Sequence, residues 1–128
     1  MAKIAIIDDT RPWADAMEFV AMQAGHETLC IIVLPSRNFK MIADEANAFG
    51  PDVVFLDHSL GYWPLNGANI AGLLRVGKEQ IVGTSTCVEH VLAQKKYCGR
   101  AFTHKNRILE HPEHAQEFLK LCQPQPQA

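Results

Sequence analysis

The sequence has no apolar run of membrane-spanning length, no block of basic residues and no paired-cysteine motif, and each absence removes a class of function. A spanning helix needs about 20 consecutive apolar residues, so none is expected. The start, MAKIAIIDD, meets two acids after a short apolar run, which is not the pattern of a secretory leader; a cytoplasmic location is expected. A formal net charge of -2 gives no general attraction to nucleic acid or anionic membrane, so direct nucleic-acid binding is not expected. Cys30, Cys87, Cys98 and Cys122 show neither CxxC nor Cys/His zinc spacing and read as reduced, mostly buried thiols. There is no internal repeat. What is present is 128 residues, 48% of them hydrophobic, enough for one domain with a substantial core. That domain is read over 1–122, and the polar, proline-broken QPQPQA at 123–128 is read as a disordered tail.

The chain is organised around PDVVFLDHSLG at 51–61. Val53 to Leu56 is an unbroken apolar run, too short for a helix, as expected of a strand buried on both faces. It ends on Asp57. Before it, Lys3 to Ile7 reads as a first strand ending on Asp8 and Asp9, and Leu29 to Leu34 as a second, closed by Pro35. Between them a helix opening at Pro12 carries Trp13, Met17, Val20 and Ala24 and stops at Gly25. Ser36 is the expected N-cap of the next helix, whose face is Phe39, Ile42, Ala43, Ala46 and Phe49, with Gly50 as its stop. After Asp57 comes HSLGYWPLNG, then a helix with Ile70, Leu73 and Leu74. Gln80 to Gly83 begins a fourth strand running into Thr84, Ser85 and Thr86; Val88, Val91 and Leu92 mark a fourth helix. Arg100 to His104 supplies a fifth strand ending at Lys105, and a last helix from Pro112 buries Ala115, Phe118, Leu119 and Cys122.

Strands alternating with helices in this way call for an α/β fold, a single doubly wound five-stranded parallel sheet of order 2-1-3-4-5. In that order Asp8, Asp9, Asp57, Ser85 and Lys105 stand at strand ends on one edge, beside the switch point between strands one and three, where open α/β sheets bind ligands. Three carboxylates so close repel one another unless one is protonated or a hard cation joins them, and Mg²⁺ suits a site that also receives a phosphoryl group. Asp57 is then the nucleophile, with Lys105 and the Ser85 hydroxyl holding phosphoryl oxygens.

IAIIDD, VVFLD followed by a glycine-led helix, IVGTS and AFTHK, in that order and at these separations, resemble the receiver domain of two-component response regulators, over Lys3 to Cys122. The resemblance implies a flavodoxin-like fold in which Asp57 accepts a phosphoryl group from a histidine kinase or histidine phosphotransfer protein. It makes Asp8, Asp9, Asp57 and the main-chain carbonyl of Ser59 the Mg²⁺ site, Ser85 the switch hydroxyl, Lys105 the phosphate contact and Phe102 the aromatic switch. A receiver catalyses only its own phosphorylation and dephosphorylation and then changes the surface it offers to protein partners. The sequence departs from the family in three places. Asn106 replaces the usual proline after the lysine, so a trans bond and a shifted approach to the last helix are expected, a non-proline cis bond costing about 3 kcal/mol. The Asp57 to Gly67 loop is longer and carries Tyr62, Trp63 and Pro64, and Thr86 stands where the family prefers alanine or glycine.

Other readings compete. A pseudo-receiver, the same fold used as a binding module without phosphorylation, differs only in what the polar set does. A haloacid-dehalogenase-type phosphatase wants D-x-D, which His58-Ser59 breaks, and in a cobalamin module the histidine would stand later than His58. His111 and His114 in HPEH lack a carboxylate or cysteine to complete a zinc set and read as solvent-exposed. Lys95, Lys96, Arg100 and Arg107 read as a solvated edge.

Overall fold

A computed structural model describes residues 1–34, 37–60 and 67–124, apart from the side chain of Val88. Five strands, β1 (Lys3–Asp8), β2 (Glu27–Ile32), β3 (Val53–Asp57), β4 (Ile81–Thr84) and β5 (Arg100–Phe102), alternate with five helices, α1 (Arg11–Gln23), α2 (Phe39–Phe49), α3 (Gly67–Ala71), α4 (Val88–Gln94) and α5 (Pro112–Leu121). All pairings are parallel and the order is 2-1-3-4-5, as expected. β3 is buried along its whole length, which is why its sequence shows no alternation.

The sheet separates two cores. Ile4, Ile6, Val53, Phe55, Val82 and Phe102 face α1 and α5, meeting Met17, Val20, Phe118 and Cys122. Ala5, Ile7, Val54, Leu56 and Ile81 face the other way, onto Ile42, Ala43 and Ala46 of α2 and Ile70 of α3. Because side chains alternate along a strand, Asp8 and Asp57 fall on the α1/α5 side. Ile7 pairs with Leu56 and Asp57 with Thr84, so the register sets Asp8 and Asp57 level at the carboxyl edge.

Several sequence expectations shift. β2 begins at Glu27, paired with Lys3, because an outer strand tolerates an exposed Glu27 and a half-buried Thr28 whose hydroxyl donates to Glu18; it ends at Ile32, and Leu34 beyond it is exposed. In α1 the buried stripe runs through Ala14, Met17, Val20 and Ala21, while Ala24 is exposed. The cap of α2 is Asn38, whose side chain accepts the Met41 N–H at 2.8 Å; Pro35 and Ser36 lie outside the described residues. Gly50 closes α2 at φ 68°, a left-handed conformation that explains the glycine. In α4, Leu92 is exposed and the buried residue is polar: Gln94 lies across the sheet, its Nε2 donating to the carbonyls of Leu56 (3.1 Å) and Thr84 (3.3 Å). Val88 of the expected stripe is the side chain left undescribed. Arg100 is not on a solvated edge either; its guanidinium donates to the carbonyls of Glu79 and Gln123. The loop residues Tyr62, Trp63 and Pro64, and positions 125–128 of the tail, lie outside the described residues. Among the described residues no helix is long and apolar enough to cross a membrane.

Candidate functional site

Asp8 is the last residue of β1 and Asp57 the last of β3; both are buried, as is Lys105. The lysine arrives from far along the chain. Its ammonium donates to Asp8 Oδ2 at 2.8 Å and lies 3.1 Å from Asp57 Oδ2, joining the ends of two adjacent strands through one cation. The ammonium partly offsets the cost of burying the two carboxylates, each of which has it within ion-pair distance. The ammonium also lies 5.3 Å from the centre of the Trp13 ring on α1, a cation–π contact.

Lys105 does not leave β5 directly. The strand ends at Phe102, two residues before the expected end, and Lys105 opens a 3-10 turn, Lys105–Arg107, that precedes α5. Asn106 lies inside this turn. Phe102, level with Thr84 in the sheet, is fully buried on the α1/α5 side with its ring 5.6 Å from that of Phe118. In this structure the Phe102 ring lies inside and packed.

Asp9 stands at the mouth of the site, part-exposed, accepting the Thr10 hydroxyl at 3.2 Å, while Asp8 Oδ1 accepts the Thr10 N–H at 2.9 Å. One oxygen from each of Asp8, Asp9 and Asp57 can be chosen so that all three lie within 4.8 Å of one another. The site opens into a cavity of about 230 Å³ lined by Asp9, Asp57, Ser59, Ser85, His90 and Lys105 among others. Ser85 is nearly buried, and its Oγ accepts the Cys87 N–H at 3.1 Å, a local turn that sets the start of α4. Ser59 lines the same cavity. The structure thus brings Asp8, Asp9, Asp57, Ser59, Ser85 and Lys105 to one place, and leaves Phe102 behind it in the core.

Burial dominates the electrostatics. It pushes the Asp57 carboxyl up to about 7, Lys105 opposing the rise and Asp8 adding to it. Asp8 is raised as well, by burial first, against the pull of Lys105. Three carboxylates against one ammonium leave the cluster two negative charges in excess when all are ionised, which a divalent cation would balance.

Some neighbours were not singled out from the sequence. Thr84, level with Asp57, holds a buried hydroxyl with no hydrogen-bond partner among the described residues. His58 follows Asp57, and its Nδ1 lies 2.5 Å from the Tyr97 hydroxyl, with the His90 ring 4.9 Å away. Burial and the nearby His90 both lower the His58 pKa. Gly67 is required where the loop returns: its N–H donates to the His58 carbonyl at 2.8 Å, and a Cβ there would collide with the Asp57 carbonyl oxygen. That glycine was legible as the head of α3; the His58–Tyr97 contact, made across 39 residues, carried no local signal.

No family model matches the sequence, and no curated protein matches it. Solved structures do. The chemotaxis response regulator CheY4 of Vibrio cholerae superposes with a TM-score of 0.71 at 16% identity, over 96% of this chain and 99% of that one. The fold is that of a receiver domain. The response regulator TrrA of Thermotoga maritima, in complex with Mg²⁺-BeF, gives 0.66 at 15% identity over 92% of this chain and 99% of its own. NtrX of Brucella abortus gives 0.63 at 22% identity over 94% of this chain, which spans 28% of the NtrX chain. The receiver fold therefore covers nearly all of the sequence, and the acidic cluster lies at the carboxyl edge of its sheet.

Proposed function

We propose that this chain is a phosphoacceptor receiver, taking a phosphoryl group onto Asp57 from a histidine kinase or histidine phosphotransfer protein. The observation that carries the reading is the buried Lys105 held between Asp8 and Asp57, with Asp9 beside them at the mouth of a cavity. A purely structural ion pair needs one carboxylate; this site has three and an opening.

The residues fit a hard divalent cation. Asp9 and Asp57, with Asp8 behind them, supply oxygen donors, the kind that Mg²⁺ takes, and Ser59, whose carbonyl would complete the set, lines the same cavity. The solved complex of TrrA with Mg²⁺-BeF, on the same fold, supports that choice. When bound, Mg²⁺ would neutralise phosphoryl oxygens and favour the ionised form of Asp57. The chain's own residues do the rest. An Asp57 oxygen attacks phosphorus, the bond from phosphorus to the donor imidazole breaks, and an acyl phosphate remains. Lys105, already 3.1 Å from Asp57 Oδ2, is a point charge for the new phosphoryl oxygens. Ser85, released from the turn it makes with Cys87, supplies a hydroxyl donor, and its movement is the proposed start of a change at the amino end of α4. Four free cysteines accord with a cytoplasmic setting.

Incubation with a small phosphodonor and Mg²⁺, followed by intact mass measurement, tests the reading. The wild type is expected to gain one phosphoryl group and Asp57→Asn none. Equal labelling of the variant would move the acceptor elsewhere. Labelling of neither, under conditions where beryllofluoride also fails to bind, would leave the pseudo-receiver, a binding module of the same fold, as the better account.

A further inference from the structure

His111 and His114 look incomplete as ligands in the sequence, but the fold completes the set. His104 lies just beyond β5, and His114 and Glu117, three residues apart, share a face of α5. The imidazoles of His104 and His114 are stacked, centroids 4.0 Å apart and planes 16° from parallel, and His104 Nδ1 lies 3.3 Å from Glu117 Oε2. One donor atom from each of the three can be chosen so that all lie within 4.8 Å of one another. The His111 ring, at the N-cap of α5, is 5.2 Å from that of His114. The His104 and Glu117 side chains are 42% and 45% exposed, so both are open to solvent on this face, while the His104 ring also rests against Phe102, 6.3 Å between centroids.

We propose that His104, His114 and Glu117 form a second cation site, for a borderline divalent transition metal such as zinc, with His111 or water in the fourth position. Two imidazole nitrogens and a carboxylate are a donor set for such ions and a poor one for Mg²⁺, whereas the all-oxygen Asp8–Asp9–Asp57 cluster has the opposite preference. The dipole of α5 opposes a cation near its first turns, and Glu117, with Glu113 in the first turn, supplies the compensating charge. A third cluster, Asp15, Glu18 and Cys30, is the competitor to exclude. There burial, reinforced by Glu18, pushes the thiol up to about 12, so its thiolate is scarce at neutral pH. The site joins the segment after β5 to α5. It does not rest on the phosphoacceptor reading.

The test is calorimetric titration of Zn²⁺ into the whole chain in excess Mg²⁺, with melting temperatures recorded with and without zinc. The wild type is expected to bind one zinc and to melt higher when loaded. His114→Ala and Glu117→Gln are expected to weaken binding by about tenfold or more, since even groups that only orient ligands are worth that much. Glu117→Gln keeps a hydrogen-bonding group beside His104 and its metal-free melting temperature should stay close to the wild type, whereas His114→Ala loses the stacked ring and its zinc-induced rise is read against its own metal-free value. Cys30→Ser and His90→Ala are expected to bind as the wild type does. Absence of saturable binding, unchanged affinity in His114→Ala, or loss in Cys30→Ser or His90→Ala instead, would overturn the proposal.

Discussion

Two lysine–aspartate pairs in this protein have the same length and opposite meaning. Lys40 and Asp44, one turn apart on α2, meet at 2.8 Å with side chains 73% and 62% exposed; Lys105 and Asp8 meet at 2.8 Å with side chains 1% and 0% exposed. The first is an ordinary helical i, i+4 pair, formed by neighbours and screened by water. The second brings together residues 97 apart, out of water, with a further carboxylate at 3.1 Å. Distance alone does not separate decoration from a site. Burial, sequence separation and excess charge of one sign do.

The largest contrast should come from removing each ammonium. Lys105→Met leaves two buried carboxylates uncompensated and is expected to cost about 3–5 kcal/mol at pH 8, read from chemical denaturation. Because Lys105 holds both acids below where burial alone would put them, the loss should shrink toward pH 5 as they protonate. A loss below 1 kcal/mol, or one independent of pH, would mean the buried pair behaves like the surface one.

Acidity gives a second, somewhat smaller contrast. The Asp57 carboxyl is raised from 3.8 to about 7, so the folded protein keeps a proton that the unfolded chain releases. Below the lower value the group is protonated in both states and contributes nothing; between the two, stability falls as pH rises, and it then levels off. At about 1.4 kcal/mol per unit the fall has an upper bound of ~4 kcal/mol. It should flatten in Asp57→Asn, whose metal-free stability at pH 7 should exceed that of the wild type. Stability rising over that interval would contradict the burial argument. By contrast, Lys40→Met should change stability by about 0.5 kcal/mol or less, and less still at high salt.

The same contrast explains what the sequence revealed. The sheet was legible because β1 and β3 are unbroken apolar runs that stop on acids, and parallel pairing then puts those acids on one edge without any knowledge of side-chain contacts. What the sequence hid lies where a polar residue is buried or where the chain turns between strand and helix. Gln94 defeats the apolar stripe of α4 because its amide seats on strand carbonyls, which periodicity does not register. Phe102 and Lys105 look like consecutive features of one strand, but the strand ends at Phe102, whose ring is in the core, and Lys105 opens a 3-10 turn with its ammonium at the carboxylates. His104 reaches Glu117 across that same connection, so the pairing had no spacing signature.

The most direct test of the central claim, that Asp8, Asp9 and Asp57 are a cation-dependent cluster rather than a buried ornament like an ion pair, is the melting temperature with and without millimolar Mg²⁺. Binding to the native state alone stabilises by about 2.7 kcal/mol at a hundredfold excess over Kd, a rise of several degrees for a domain of this size. The account predicts that rise in the wild type and its loss in Asp9→Asn, which should also melt higher than the wild type without metal because one like charge is gone. A melting temperature indifferent to Mg²⁺ in both proteins would contradict it.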